Sequence, residues 1–337
     1  MTSAAKSRIP GQRYPDQLMR LVPYFGGGIV LVALPFCLPS YYQILMTRVL
    51  IFSIFAISLD VIYGYTGLFS LGHAAFFGVG GYTVGILMVR YGIESFWIGA
   101  PLAVLTASFV AAIFGVIALR VSGIYFLLVT FALGELLVSL ATKWKFLSTS
   151  RSTEGVMNIL QPTLSIPWFE WNITNFYYFV FLIFVVCFYI LHRFIHSPFG
   201  RALQGIRESE ARMRALGYNT WLYKYVAFIV AGLFAGVSGV LIAYHDGFMV
   251  PASFGVGTST LVMFMVIIGG VGTLYGPALG SCIMIFVNFL ASTYTPERWP
   301  LILGGFFVVV IMYARGGLAV YLSRLWQKVL SRGSFEG

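Results

Sequence analysis

The sequence SPFGRALQGIRESEARMRALGYNTWLYK occupies residues 197–224 and separates two strongly apolar parts of the chain. Five basic side chains against two acidic ones give this polar segment a net charge of +3. Charged side chains are costly inside a lipid bilayer and are rarely placed there without a function. The polar segment is therefore expected to lie outside a membrane that the apolar stretches on both sides of it cross.

The composition of the whole chain is that of an integral membrane protein. Of the 337 residues, 59% are hydrophobic and only 9% are charged, whereas soluble domains carry about 25% charged residues. The apolar residues are grouped in runs of nearly twenty, about the length of an α-helix that spans the hydrocarbon core. The three cysteines lie inside such runs without metal-binding or redox spacing, so they are interpreted as small apolar residues.

The apolar runs predict an all-α integral membrane protein, a polytopic bundle of about ten transmembrane helices. The predicted spans are 24–39, 43–65, 67–89, 97–119, 123–142, 174–193, 224–244, 258–271, 276–291 and 300–314. The spans 258–271 and 276–291 are short and are joined by a glycine-rich sequence. They could form one kinked hairpin, a re-entrant pair or a single crossing.

The distribution of charge predicts the orientation of the chain. A net charge of +10 could indicate nucleic-acid binding in a soluble protein, but here the basic residues lie between apolar runs, as the positive-inside rule predicts. Nucleic acid is therefore not expected as a partner. With ten spans, fifteen of the 21 basic residues lie on the cytoplasmic side, and both termini are cytoplasmic. The predicted parts are a cytoplasmic tail (1–23), a transmembrane domain (24–315) with an external loop at 143–173 and a cytoplasmic loop at 194–223, and a second cytoplasmic tail (316–337).

The polar segment carries helix-capping signals. Ser197 followed by Pro198 is typical of a helix start, and Ser209 followed by Glu210 offers a second one. Gly217 can end that second helix. These signals predict short helices along the membrane surface, in a segment that either follows the bilayer surface or binds a partner. The chain has no G-x-x-x-x-G-K-[ST] motif, so any nucleotide would be hydrolysed by another protein.

The residues of the polar segment, from Ser197-Pro198-Phe199-Gly200 through Arg207-Glu208-Ser209-Glu210-Ala211 to Ala215-Leu216-Gly217, resemble the cytoplasmic loop of branched-chain amino acid ABC transporter permeases of the LivM type. Further motifs similar to that family occur in the same order from about residue 50 to residue 315. They are Gly64-Tyr65-Thr66-Gly67, Ser70-Leu71-Gly72-His73-Ala74, Tyr82-Thr83, Tyr125-Phe126, Val129-Thr130, Gly134-Glu135 and Gly269-Gly270-Val271-Gly272. One departure is Ser152-Thr153-Glu154-Gly155, where the family usually has a Thr-Gly-Gly-x-x-Gly-like sequence.

The resemblance implies a permease subunit of an ABC importer in the bacterial inner membrane, without a catalytic site, metal or cofactor of its own. The implied partners are a second, LivH-like permease, two ABC ATPase subunits that use the ATP, an external solute-binding protein and membrane lipid. The implied solutes are branched-chain amino acids, with urea and short amides as alternatives. The residues implied to couple the chain to the ATPase are Ser209, Glu210, Ala211, Arg212, Arg214, Leu216 and Gly217.

Polar residues inside predicted spans are the candidates for a translocation pathway. Asp60, His73 and Glu135 are ionisable, and such residues in a membrane generally face water or the bundle interior. Ser70 and Tyr82, in the family-like motifs, complete the candidate set. The alternative is that Asp60 and His73 pair with each other or with backbone groups and only fix the helix register.

Two other classes of function are open. An ATP-independent secondary transporter or channel would use broken helices, as the region 258–291 suggests, but no charged ligand accompanies that region. An intramembrane serine protease would use Ser238 in Gly236-Val237-Ser238-Gly239. That nucleophile needs a general base on a facing helix, and His245 lies at the end of the same helix. The sequence therefore favours small-residue packing as the explanation for Ser238.

Overall fold

The computed structural model of the chain describes residues 31–35, 39–143, 155–163, 171–294, 299–313 and 317–318. Within these ranges the backbone is mostly α-helical, and the β-structure consists of two isolated bridges. The helices are α1 (Ser40–Tyr63), α2 (Ala74–Tyr91), α3 (Phe96–Ala118), α4 (Ile124–Lys143), α5 (Ile173–His196), α6 (Pro198–Glu208), α7 (Glu210–Ala215), α8 (Thr220–Asp246), α9 (Val256–Gly269), α10 (Tyr275–Tyr294) and α11 (Trp299–Tyr313), with a 3₁₀ turn at Pro251–Phe254. Residues 31–35 are also helical.

Seven helices in the described ranges are long and apolar enough to cross a membrane: α1, α2, α3, α4, α5, α8 and α10. Helix α9 is apolar but has only 14 residues, and α11 has 15. The predicted all-α membrane fold is confirmed. The count of ten spans stays a prediction, since most of the first predicted span, 24–39, lies outside the described residues, as do nearly all residues of the two predicted tails.

Helices α1 and α8 form the centre of the bundle. In each, 72% of the most apolar window is buried inside the chain, whereas in α4 and α5 only 22% is buried. Helix α8 packs against α1, α2 and α3, and α10 and α5 pack on the other sides of α1. The peripheral helices α4 and α5 therefore leave most of their surface for lipid or for other proteins.

Glycines make the closest helix crossings of this core. A Cβ added to Gly239 of α8 would overlap the carbonyl oxygen of Phe77 in α2, and one added to Gly80 would overlap that of Gly236. No hydrophobic effect drives helices together in lipid, so their association depends on close backbone contacts of this kind. The small residues in α2 and α8 thus pack helices closely, as the sequence analysis predicts.

The prediction of a span over 67–89 is wrong at its start. Helix α1 ends at Tyr63 and α2 begins only at Ala74, so residues 64–73 form an irregular connection. Two glycines, Gly64 and Gly67, each disfavour a helix by about 1 kcal/mol relative to alanine. The connection is still mostly apolar, and this is why the hydropathy of the sequence does not reveal the break.

Helices α9 and α10 are joined by a tight turn, residues 270–274. The turn needs glycine at residue 272, whose φ of +76° is in the left-handed region. A Cβ on Gly269 would also overlap the carbonyl oxygen of Gly276 at the start of α10. The region 258–291 therefore forms two helices that pack against each other and not one continuous helix, which fits both the kinked hairpin and the re-entrant pair.

The opposite end of the bundle is held by a charged cluster. Arg48 near the start of α1 donates to Asp246 at the end of α8, with 2.9 Å between Nη2 and Oδ2. The Nδ1 atom of His245 lies 2.7 Å from the other Asp246 oxygen, and its Nε2 atom lies 3.2 Å from the carbonyl oxygen of Ile44. This cluster gives Arg48, His245 and Asp246 a structural role at that end.

Candidate functional site

The polar segment folds into the two short helices α6 and α7, each started by a serine. The Ser197 hydroxyl accepts a hydrogen bond from the Gly200 amide, and the Ser209 hydroxyl accepts one from the Arg212 amide, both at 3.3 Å. Gly217 follows α7 with a φ of +86°, a conformation that favours glycine. The predicted caps are therefore formed, and the helices pack at one end of the bundle.

The two helices differ in how they contact the rest of the chain. Helix α6 buries Ala202, Leu203 and Ile206 almost completely. Helix α7 buries no residue, and Leu216 is 67% exposed. Leu216 lies just beyond the last residue of α7, away from the contact of α6 with the bundle. Helix α7 and Leu216 are thus available to a partner.

Glu210 connects α7 to the start of α8. Its Oε1 atom accepts hydrogen bonds from Arg214 at 2.6 Å and from the Thr220 hydroxyl at 3.0 Å. Its Oε2 atom accepts one from Lys224 at 2.5 Å. The Arg214 Nε atom also donates to the Thr220 hydroxyl, at 3.0 Å. A short helix without a buried face is therefore fixed to a central transmembrane helix by the Glu210 carboxylate and by Arg214.

The electrostatics of Glu210 favour its charged form. Partial burial raises the pKa of the carboxyl, but the hydrogen bond and the charge of Lys224 lower it, together with the hydrogen bonds from Thr220 and Arg214. The net effect is a pKa below the ordinary value. At neutral pH the carboxylate is thus ionised and can accept all three hydrogen bonds. The sequence identified Glu210 and Arg214 but not Thr220 or Lys224, because nothing in their spacing shows that the chain turns back on itself after Gly217.

Asp60 is fully buried and holds α1 to the turn between α9 and α10. Its Oδ1 atom accepts a hydrogen bond from the Gly272 amide at 2.8 Å. Arg207 at the end of α6 donates to the carbonyl oxygen of Gly64, four residues after Asp60. Asp60 thus makes the backbone contact that the sequence analysis left open as an alternative to a pathway role. The sequence does not identify Arg207 as a site residue, because no sequence pattern indicates that it contacts Gly64.

The other buried candidates lie inside the bundle. His73 is fully buried, its Nε2 atom is 2.9 Å from the Ser58 hydroxyl, and its ring stacks on Phe55. His73 therefore does not pair with Asp60. Within the described part of the chain, no hydrogen-bond partner is present for the Nδ1 atom of His73 or for the hydroxyls of Ser70 and Tyr82. None of these three side chains is at the surface of the single subunit.

Glu135 lies apart from the buried candidates, on the face of α4 that the chain leaves uncovered. With Leu136, Ser139, Leu140 and Lys143, all from the same helix, it lines a shallow, open cleft. The cleft thus combines one acidic, one basic and one hydroxyl side chain on successive turns of a peripheral helix. This arrangement can contact a polar solute or a polar partner, whereas lipid would be an unfavourable neighbour for it.

The geometry around Ser238 does not form a hydrolytic site. The Ser238 hydroxyl is completely buried and donates to the Ala235 carbonyl oxygen of its own helix at 2.7 Å. His245 contacts Asp246 and Ile44, and His73 contacts Ser58. Among the described residues, no histidine is hydrogen-bonded to Ser238, so the general base that the reaction needs is not in place.

The chain is similar to known transport proteins along most of its length. A family model described as "Branched-chain amino acid transport system / permease component" matches residues 41–314. The LivM permease proteins of the high-affinity branched-chain amino acid transport systems of Salmonella typhimurium and Escherichia coli are each 30% identical over 315 residues, covering 86% of this chain and 72% of theirs. The LivH permease protein of the Salmonella system is 23% identical over 261 residues, covering 74% of this chain and 84% of its own. No solved structure matches the chain.

Proposed function

Because the chain belongs to the family of branched-chain amino acid ABC transport permeases, we propose that it imports branched-chain amino acids, or related small polar solutes such as urea and short amides. The chain is a multi-pass permease subunit of an ABC importer, and the proteins of this family are not themselves enzymes. ATP is bound and hydrolysed by partner ATPase subunits. The observation that carries the proposal is the polar segment, whose exposed helix α7 is fixed to α8 through Glu210.

Helix α7 is proposed as the contact with the ATPase. Its first residue, Glu210, holds it to the bundle, while Ala211, Arg212 and Leu216 are exposed. An exposed leucine beside arginines fits a groove on a protein better than it fits water. In this role Ser209 begins the helix and Gly217 ends it, so both set its position. Arg214 stabilises the carboxylate of Glu210 and completes the set of coupling residues.

The proposed partners are supported by sequence similarity, and the proposed orientation is supported by the position of the polar segment. Similarity to both LivM and LivH supports a pair of permeases, served by two ATPase subunits and an external solute-binding protein. The polar segment is proposed to be cytoplasmic in a bacterial inner membrane. Gly317 packs against Gly270 in the turn that Arg207 approaches, which supports a cytoplasmic C-terminal tail (316–337) on the same side. The proposed parts keep their predicted bounds: a cytoplasmic tail (1–23), a transmembrane domain (24–315) with an external loop (143–173), and a second cytoplasmic tail (316–337).

We propose that the cleft on α4 faces the translocation pathway. Glu135 lies inside a predicted span, on a helix that the chain leaves mostly uncovered, and would be costly against lipid. A path between this subunit and the second permease would instead give Glu135 water or a polar solute. Asp60, Ser70, His73 and Tyr82 are buried in the single subunit, so a role for them in the pathway requires movement of the bundle.

The function is tested by reconstituting the chain in lipid vesicles with the second permease, the ATPase subunits and the binding protein. We expect uptake of labelled leucine only when ATP and the binding protein are both present. Urea and acetamide serve as the alternative solutes. Uptake by this chain alone, driven by an ion gradient without ATP, would instead show an ATP-independent secondary transporter.

Replacing Glu135 by glutamine should lower solute uptake by about tenfold, the change that a loss of ~1.4 kcal/mol produces. The reason is that the substitution removes the negative charge that attracts a positively charged part of the solute. The ATPase rate should change little, because Glu135 is on α4, and α4 does not pack extensively against α6 or α7. Glu94→Gln, an exposed acidic residue between α2 and α3, is the matched control. Equal uptake by both variants would exclude Glu135 from the pathway.

A further inference from the structure

Arg207 reaches from the last turn of α6 into the contact between α1 and the α9–α10 turn. Its Nη1 atom donates to the carbonyl oxygen of Gly64. The same atom is 3.1 Å from the position of a Cβ on Gly272, and the Cγ atom of Arg207 is 3.1 Å from that of a Cβ on Gly67. A side chain at Gly67 or Gly272 would crowd the arginine, whereas one at Gly64 would meet the Asp60 carboxyl.

Asp60 binds the same point from inside the bundle. Its Oδ1 atom accepts a hydrogen bond from the Gly272 amide at 2.8 Å. A Cβ on Gly64 would lie 2.6 Å from the Gly272 nitrogen. The ends of α6 and α1 and the α9–α10 turn therefore meet in one contact, which we call the Arg207 junction (Asp60, Gly64, Arg207 and Gly272).

The Arg207 junction is also connected to α7. Helix α6 ends at Glu208, and the Ser209 amide donates to the Gly205 carbonyl oxygen of α6 at 3.0 Å while the Ser209 hydroxyl begins α7. Met213 of α7 packs against Gly205. A displacement of α7 therefore displaces the end of α6, and with it Arg207. Glu210 provides a separate connection, from α7 to α8.

We propose that Arg207 transmits movement of α7 to the α9–α10 turn and to the end of α1, as a positioning residue of the transport cycle. This role rests on the proposed function, because the movement of α7 is taken to come from the ATPase. Glu210 would then carry the movement of α7 to α8, and Arg207 would carry it to α1, α9 and α10. The turn is short, and its Gly272 amide is held to α1 by a hydrogen bond to Asp60. A movement of Arg207 therefore acts on the turn and on the end of α1 together.

The first test measures the Arg207 junction without any transport. Amide hydrogen exchange of the purified chain in lipid nanodiscs is compared for the wild type, Arg207→Ala and Arg201→Ala. Arg201 is an exposed arginine of the same helix, six residues earlier, and is the matched control. We expect exchange in residues 270–274 to become about tenfold faster in Arg207→Ala, since this variant loses the charged hydrogen bond to Gly64 that holds the end of α1 beside the turn. Unchanged exchange in Arg207→Ala would overturn the proposal.

The second test measures transport in the reconstituted complex, as moles of solute imported per mole of ATP hydrolysed. This ratio should fall about tenfold in Arg207→Ala, fall less in Arg207→Lys, which keeps the charge and one donor, and stay within about twofold in Arg201→Ala. Faster exchange with an unchanged ratio would show a merely structural contact and overturn the role. If the wild-type complex imported nothing with ATP, the proposed function would fail, and the exchange experiment would still decide whether Arg207 holds the turn.

Discussion

A complex that carries Glu210→Gln is expected to hydrolyse ATP but to import solute about tenfold more slowly than the wild type, which corresponds to ~1.4 kcal/mol. The carboxylate accepts hydrogen bonds from Arg214, Thr220 and Lys224. Hydrogen bonds to charged groups contribute about 1.5–3 kcal/mol each, although partial exposure to water reduces this value. Glutamine has a similar shape but no charge, and its NH₂ nitrogen, in the place of Oε2, cannot accept a hydrogen bond from Lys224. Helix α7 would then move without moving α8.

The measurement is uptake and ATP hydrolysis in the same vesicles. Glu208→Gln is the matched control, since Glu208 is exposed and is two residues away at the end of α6. Uptake per ATP should fall in the Glu210 variant alone. If the two variants gave the same ratio, the connection between α7 and α8 would not transmit the work of the ATPase. Loss of ATPase binding in Glu210→Gln would assign the residue to docking instead.

Local signals in the sequence predict the polar segment well. Ser197, Ser209 and Gly217 act on residues within three or four positions, so the sequence alone indicates where the short helices begin and end. Most membrane helices are predicted for a similar reason, because their length and hydropathy are properties of one continuous stretch. The match of the family model to residues 41–314 confirms the resemblance on which the transport function rests.

Contacts between distant residues could not be predicted in this way. The Arg207 junction joins residues separated by more than 140 positions along the chain, and no periodicity in either region indicates their meeting. Asp60 and His73 were considered as a pair because both are ionisable and both lie in apolar runs. The irregular connection over residues 64–73 directs them to different partners, Gly272 and Ser58.

Replacing Gly239 by alanine is expected to destabilise the fold strongly. The added methyl group would overlap the carbonyl oxygen of Phe77 and would lie 3.1 Å from the Gly81 amide nitrogen. Both are backbone atoms of α2, so they cannot move aside as a flexible side chain can. The two helices would have to separate, and overpacking of this kind costs about 1–3 kcal/mol, occasionally more. Because α8 is central, the separation would also disturb its contacts with α1 and α3.

The measurement is the thermal unfolding midpoint of the purified chain in mild detergent, with the yield of monodisperse protein as a second readout. Gly257→Ala is the matched control, because Gly257 is also helical but a Cβ there would meet no atom within 4 Å. Alanine favours a helix over glycine by about 1 kcal/mol, so the control should be as stable as the wild type or more stable. Gly239→Ala should gain the same helix propensity and still unfold at a lower temperature. An equal midpoint for both variants would mean that α2 and α8 are not in direct backbone contact at Gly239.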